Sequence, residues 1–248
     1  MKIVISGASS GIGEALARHY DGPGNVLGLL SRREPQLSVV GTKAFYPVDV
    51  TDTASQARAA QDFLRRFGAP DLVIANAGIG VGTHGDDLAD IEKLRRILAV
   101  NVSGMAATLA AFAPAMRAAR HGTLVGVASV AGFRGLPGAG AYSASKAAAI
   151  AWLESLRVEL LGSGVSVVCV CPGYIDTPMT QGNQYAMPFL MAPDEFARRM
   201  ARAVAAKRRR VVIPWQMALV AMLLRNVPGW LYDRAFARAP RKSRDIAI

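Results

Sequence analysis

Short apolar runs alternate along this chain with longer segments in which apolar residues recur every three to four positions. The short runs fall at residues 2–6, 26–30, 44–48, 71–75, 123–128, 165–171 and 210–213 and predict seven strands. Several are continuous Val, Ile, Leu and Ala without polar alternation, as expected of strands covered on both faces. The longer segments predict helices, clearest over 53–67, 101–118, 143–161 and 193–206, with a further helical stretch from Glu14 to Tyr20. Regular strand–helix alternation predicts an α/β fold: a doubly wound parallel sheet with crossover helices on both faces. No repeat, low-complexity linker or charge-rich hinge interrupts the chain before residue 207, so residues 1–213 read as one domain and 214–248 as a helical extension.

Composition sharpens this picture in two ways. Of 248 residues 52% are hydrophobic and 19% charged, which excludes a disordered chain. The formal net charge of +11 is unevenly placed: residues 1–193 hold 16 basic and 14 acidic side chains, whereas 194–248 hold 13 and 4. An electrostatic partner is therefore expected at the C-terminal end. Met1-Lys2 leads directly into the first strand with no targeting pattern, so a cytoplasmic location is expected. Cys169 and Cys171 share one face of a strand and read as buried core thiols. His19, His84 and His121 are scattered with no ligand spacing, and no metal is expected.

Candidate chemistry begins after the first strand, where Gly7-Ala8-Ser9-Ser10-Gly11-Ile12-Gly13 opens a helix. Glycines at such a turn let backbone approach a pyrophosphate, and a helix N-terminus offers free N–H groups and a positive dipole end. The spacing is G-x3-G-x-G rather than G-x-G-x-x-G. Arg32 and Arg33 follow the second strand, where a carboxylate would bind the ribose 2′-hydroxyl of NAD. A guanidinium suits a 2′-phosphate instead, so NADP is the expected cofactor, with NAD the alternative.

Tyr142 and Lys146 stand four apart at the start of a predicted helix and so share one face. A neighbouring ammonium is expected to lower the tyrosine pKa from about 10 toward useful acid/base chemistry. Ser129, at the end of the fifth strand, is placed to donate a hydrogen bond to an oxygen that gains negative charge.

Together with Asn76-Ala77-Gly78, Asn101, and Pro172-Gly173 with Thr177, these motifs resemble the short-chain dehydrogenase/reductase family, in the right order over roughly residues 1–213. Two positions depart from the family pattern: Ser6 stands where Thr is usual, and Ala75 where Asn is common. The resemblance implies a Rossmann-like fold and hydride transfer between a carbonyl and an alcohol. Tyr142 would be the general acid/base, Ser129 the oxyanion donor, Lys146 the pKa modulator and ribose ligand, and Asn101 the holder of a relay water. It further implies adenine contacts by Asp49 and Val50, adenine-ribose contacts by Asn76, Ala77 and Gly78, and nicotinamide contacts by Ile175 and Thr177. A homodimer or homotetramer is the assembly the family suggests. The alternative is a non-catalytic dinucleotide sensor using the same pocket.

Residues 178–192, rich in Met with Tyr185, Phe189 and Leu190, read either as an apolar lid over a hydrophobic ketone or alcohol or as packing for the core. Past the last strand, Pro214 is expected in the first turn of an apolar helix that Pro228-Gly229 ends, too short to span a bilayer. With Trp215, Trp230 and the basic residues of 207–238, this extension reads as a peripheral membrane contact, or as an arm packed on the lid or on a sister subunit. No recognition helix, zinc spacing or RNA motif points to nucleic acid.

Overall fold

The computed structural model describes residues 1–183 and 185–244; Gln184 of the expected lid and 245–248 of the expected extension lie outside the described residues. Seven strands form one parallel sheet in the order β3-β2-β1-β4-β5-β6-β7. They are β1 (Lys2–Ser6), β2 (Val26–Ser31), β3 (Thr42–Pro47), β4 (Leu72–Ala75), β5 (Thr123–Val127), β6 (Ser166–Pro172) and β7 (Arg210–Ile213). Each matches a predicted apolar run to within two residues; burial on both faces leaves the central strands largely apolar, whereas the edge strands β3 and β7 keep exposed Thr42, Pro47 and Arg210.

The connecting helices are α1 (Gly11–Tyr20), α2 (Thr53–Phe67), α3 (Ile91–Leu98), α4 (Met105–Ala119), α5 (Gly140–Glu159), α6 (Pro178–Gln181) and α7 (Pro193–Ala205). Helix α2 shows how local sequence sets an element: the Asp52 carboxylate accepts from the N–H groups of Ala54 and Ser55, both at 3.0 Å, and Gly68 at φ +76° ends it. Its buried side, with Ala59, Ala60 and Phe63, joins Leu109 and Phe112 of α4 and Leu153 of α5 over one sheet face. Leu16 of α1 and Phe196 and Met200 of α7 cover the other.

The helix expected over 101–118 is the second half of a longer helical run. Helix α3 passes through a π-helical turn, Ala99–Gly104, directly into α4. The run Leu88–Ala119 is long and apolar enough to cross a bilayer by length and composition alone, yet Met105, Leu109, Phe112 and Met116 are buried in the core.

Two further helices, α8 (Gln216–Asn226) and α9 (Gly229–Phe236), form the extension. Pro214 is not in the first turn of α8: it occupies the bend before it, and the helix begins two residues later. Arg134, after β5, docks this pair by donating to the carbonyls of Leu224 (2.5 Å) and Val227 (2.6 Å), with its guanidinium 4.0 Å from the Tyr232 ring centroid. Tyr232 itself donates to the Gly135 carbonyl at 2.6 Å. Cys169 and Cys171 are buried and free, their sulfurs 3.8 Å apart.

Candidate active site

Strand order reverses between β1 and β4, and at the C-terminal edge of the sheet the chain encloses an open cavity of about 670 Å³. Loops leaving the two strands diverge to opposite faces there, which opens the crevice used by ligands in such sheets.

The β1–α1 turn forms one wall. Gly7 has φ +68°, and a Cβ built on Gly13 would stand 2.0 Å from the Gly7 carbonyl oxygen, so the turn closes on α1 only with glycine at both positions. Ser6 does the work expected of a hydroxyl: its Oγ accepts from the N–H groups of Asn76 (3.2 Å) and Ala77 (3.3 Å). Asn76 Nδ2 donates in return to the carbonyls of Ser6 and Gly7, both at 3.2 Å.

From this turn Gly7, Ser9, Ser10, Gly11 and Ile12 line the cavity; Gly13 does not, because it lies behind the Gly7 carbonyl. Arg32 and Arg33 line it after β2, Asp49 and Val50 after β3, and Asn76, Ala77 and Gly78 after β4. Pro172, Gly173, Ile175 and Thr177 close it after β6. Three lining residues of α3 escaped the sequence reading: Glu92, Arg95 and Arg96. Their only signal was charge on an amphipathic helix, which reads equally as a solvated face. Asp49 sits among these cations, and its carboxyl is held below the usual range, first by hydrogen bonds from the Thr51 backbone and hydroxyl and then by Arg32 and Arg96.

Ser129, Tyr142 and Lys146 line the same cavity. Ser129 caps the turn after β5, its Oγ accepting from the Ala131 N–H at 3.1 Å. Helix α5 carries Tyr142 and Lys146 in its first turns, with Lys146 Nζ 5.7 Å from the tyrosine ring centroid and donating to the Val127 carbonyl at 3.0 Å. Burial pushes the Lys146 ammonium down to about 8. The expected lowering of the Tyr142 pKa is not what this structure shows. Burial raises it, because desolvation penalises the phenolate more than the Ser129 hydrogen bond relieves it.

Asn101 is buried in the π-helical turn and does not line the cavity. Its Oδ1 accepts from Ile79 N–H at 2.8 Å, and its Nδ2 donates to the Ile79 carbonyl (2.9 Å) and Ser145 Oγ (3.0 Å). It thereby clamps the segment after Gly78 beside Lys146. The expected lid divides: Met179 and Thr180 line the cavity, Met191 is buried in the core beside Ile175, and Phe189 and Leu190 are exposed. The segment is thus shared between cavity wall, core and surface.

A family model for short chain dehydrogenase matches residues 1–187. An uncharacterized oxidoreductase of Myxococcus xanthus (strain DK1622) is 39% identical over 243 residues, covering 95% of this chain and 96% of its own. Among solved structures, a 3-ketoacyl-ACP reductase from Sinorhizobium meliloti 1021 superposes with a TM-score of 0.78 at 28% identity, over 89% of this chain and 100% of its own. An alcohol dehydrogenase from the archaeon Thermococcus sibiricus, complexed with 5-hydroxy-NADP, gives 0.72 at 28% identity, over 86% and 95%. The motif order along the sheet, the family match over most of the chain and the near full-length likeness to an oxidoreductase agree: this chain belongs to the short-chain dehydrogenase/reductase family of oxidoreductases.

Proposed function

We propose that the protein is an NADP(H)-dependent enzyme interconverting a carbonyl and an alcohol on a largely apolar substrate. The observation that carries this reading is the convergence of Ser129, Tyr142 and Lys146 on the cavity that the glycine turn also lines. The chain's residues fit a dinucleotide: a Cβ on Gly7 would stand 2.7 Å from Ala77 Cα, so the cradle admits a pyrophosphate only where side chains are missing. A nicotinamide dinucleotide bound there would supply hydride chemistry, donation to a carbonyl carbon or acceptance from an alcohol. Arg32, Arg33, Arg95 and Arg96 on one rim of the cavity favour a 2′-phosphate over a bare ribose.

The remaining chemistry belongs to the chain. As negative charge builds on the carbonyl oxygen, Ser129 Oγ donates a hydrogen bond to it and Tyr142 Oη delivers the proton. Lys146, at about 8, keeps its ammonium at neutral pH and stabilises the phenolate left behind. Asn101 acts through position, tying Ile79, after β4, to Ser145, which stands between Tyr142 and Lys146 on α5. Met179 offers an apolar surface to the substrate.

Replacing Tyr142 with Phe tests the assignment. On a carbonyl and alcohol panel run with both cofactors, kcat is expected to fall by about 10²–10⁴-fold while the NADPH dissociation constant stays within twofold. Undiminished turnover would refute Tyr142 as the acid, and a wild type that binds NADPH but turns over nothing favours the sensor reading.

Peripheral docking on an anionic membrane surface is proposed for the α8–α9 pair. Trp215 is 63% and Trp230 72% exposed, Leu219, Met222 and Leu223 are exposed in the same segment, and so are Arg225, Arg234 and Arg238. Amphipathic tryptophans among arginines are what an interface of headgroups and acyl chains binds.

A further inference from the structure

The described chain does not end at α9. Residues 239–244 return across the loops that follow β4 and β5, which are joined by a hydrogen bond from Thr83 N–H to the Gly138 carbonyl at 3.0 Å. The strap is fastened at its far end. Gly82 N–H donates to the Ser243 carbonyl at 2.8 Å, and the Arg244 guanidinium bonds Asp87 at 2.5 Å and Asp90 at 3.0 Å. The receiving loops are shaped for it: a Cβ on Gly82 would stand 2.1 Å from the Lys242 carbonyl oxygen, and one on Gly138 would stand 2.6 Å from Arg241 Cβ.

Lys242 takes no part in this fastening by its side chain. The residue is only 9% exposed, and its Nζ lies 5.8 Å from the Tyr142 ring centroid, close to Gly80. Among the described residues no carboxylate pairs with it, since the acidic residues under the strap bond Arg244 and Lys93. Burial without an anion depresses the proton affinity of this ammonium. A strap serving only as a cover would bury an apolar side chain here, because an unpaired buried cation is costly. The Lys242 ammonium, close to Gly80 and the Tyr142 ring with no carboxylate beside it among the described residues, is open to an anion from outside the chain.

We infer that Lys242 is a specificity residue that recognises an anionic group, carboxylate or phosphate, carried by the substrate close to the reacting carbonyl. The inference rests on the reductase reading and refines its substrate: an apolar body with an anionic end under the strap. Charge-assisted hydrogen bonds to Lys242 would then discriminate against neutral analogues, which leave the ammonium unpaired.

The test compares two matched pairs on the full chain with NADPH: a keto acid against its methyl ester, and a phosphorylated ketone against its free hydroxy ketone. Wild type is expected to favour the anionic member at least tenfold in kcat/KM, mainly through KM, and the pair with the larger ratio identifies the group. Lys242→Met should bring that ratio to near one, and Lys242→Arg should restore most of it. Calorimetric titration of the cofactor-loaded protein with the corresponding hydroxy acid and hydroxy ester reads the same preference without turnover. A wild-type ratio near one in both pairs, or equal losses on acid and ester in Lys242→Met, overturns the anion site and leaves the reductase reading standing. Lys242-dependent binding of the hydroxy acid with no turnover of any ketone overturns the reductase reading and keeps the site.

Discussion

The sheet and the C-terminal arm place the same residue types in opposite environments. In β1, Ile3, Val4 and Ile5 are fully buried, and the cavity's arginines stand at its solvent edge. In the arm the large apolar side chains Trp215, Leu219, Met222, Leu223 and Trp230 are more than half exposed, while Lys242 is buried. Folding accounts for the first arrangement, since each fully buried aliphatic side chain contributes about 1.5–3 kcal/mol. It does not account for the second, because burying a cation costs free energy and a tryptophan left in water contributes none. The arm is nonetheless docked, by Arg134 to the carbonyls ending α8 and by Tyr232 to Gly135. The sheet's apolar residues thus fill the chain's own core, whereas the arm, though docked, leaves several of its large apolar side chains in water. Substitutions in the two regions should therefore fail in different ways.

The largest effect is expected at the glycine turn. In Gly13→Ala the new methyl group would stand 2.0 Å from the Gly7 carbonyl oxygen and 2.7 Å from Asn76 Nδ2, and backbone there cannot yield without moving β1 against β4. A loss of about 3 kcal/mol in urea denaturation is expected, within the upper range for overpacked cores. Wild-type stability with unchanged NADPH binding would show that the turn is looser than described. Next comes Arg32→Ala, which removes one cation from the rim near Asp49. Losing a charge-assisted contact worth about 1.5–3 kcal/mol should weaken NADPH binding by roughly 10–100-fold with little change for NADH. Equal losses for both cofactors would refute the 2′-phosphate assignment, and in neither case should stability change.

How much of this was legible follows the same division. The strands were readable because continuous apolar runs such as Ile3-Val4-Ile5 mean burial on both faces wherever they occur. The placement of the glycine turn and of Tyr142 with Lys146 was readable because each depends on spacing within one element. Helix α3 with the π-helical turn was missed: Glu92, Arg95 and Arg96 look like an ordinary solvated face, and Asn101 looked like a beginning rather than a midpoint. The direction of the Tyr142 shift was misjudged for a related reason, since spacing reveals a neighbouring ammonium but not desolvation by the surrounding loops. Lys242 was invisible. Nothing local marks it among the basic residues of the tail, and only the return of the strap to Gly82 and Gly138 brings it to Tyr142.

The smallest expected effect isolates the arm's outward face. Trp215 and Trp230 make little use of the core, so Trp215→Ser with Trp230→Ser should leave urea stability within about 0.5 kcal/mol of wild type, as exposed substitutions usually do. Cosedimentation with vesicles containing phosphatidylserine should nevertheless weaken by roughly tenfold, because the two rings supply apolar area at the interface while the arginines supply only salt-sensitive attraction. Neutral vesicles serve as the comparison, since removing the anionic lipid should cost binding even with both tryptophans in place. If the double variant binds vesicles as well as wild type, the exposed face is not a membrane contact. If it instead loses stability, the tryptophans belong to the fold, and the contrast between sheet and arm does not hold at these two positions.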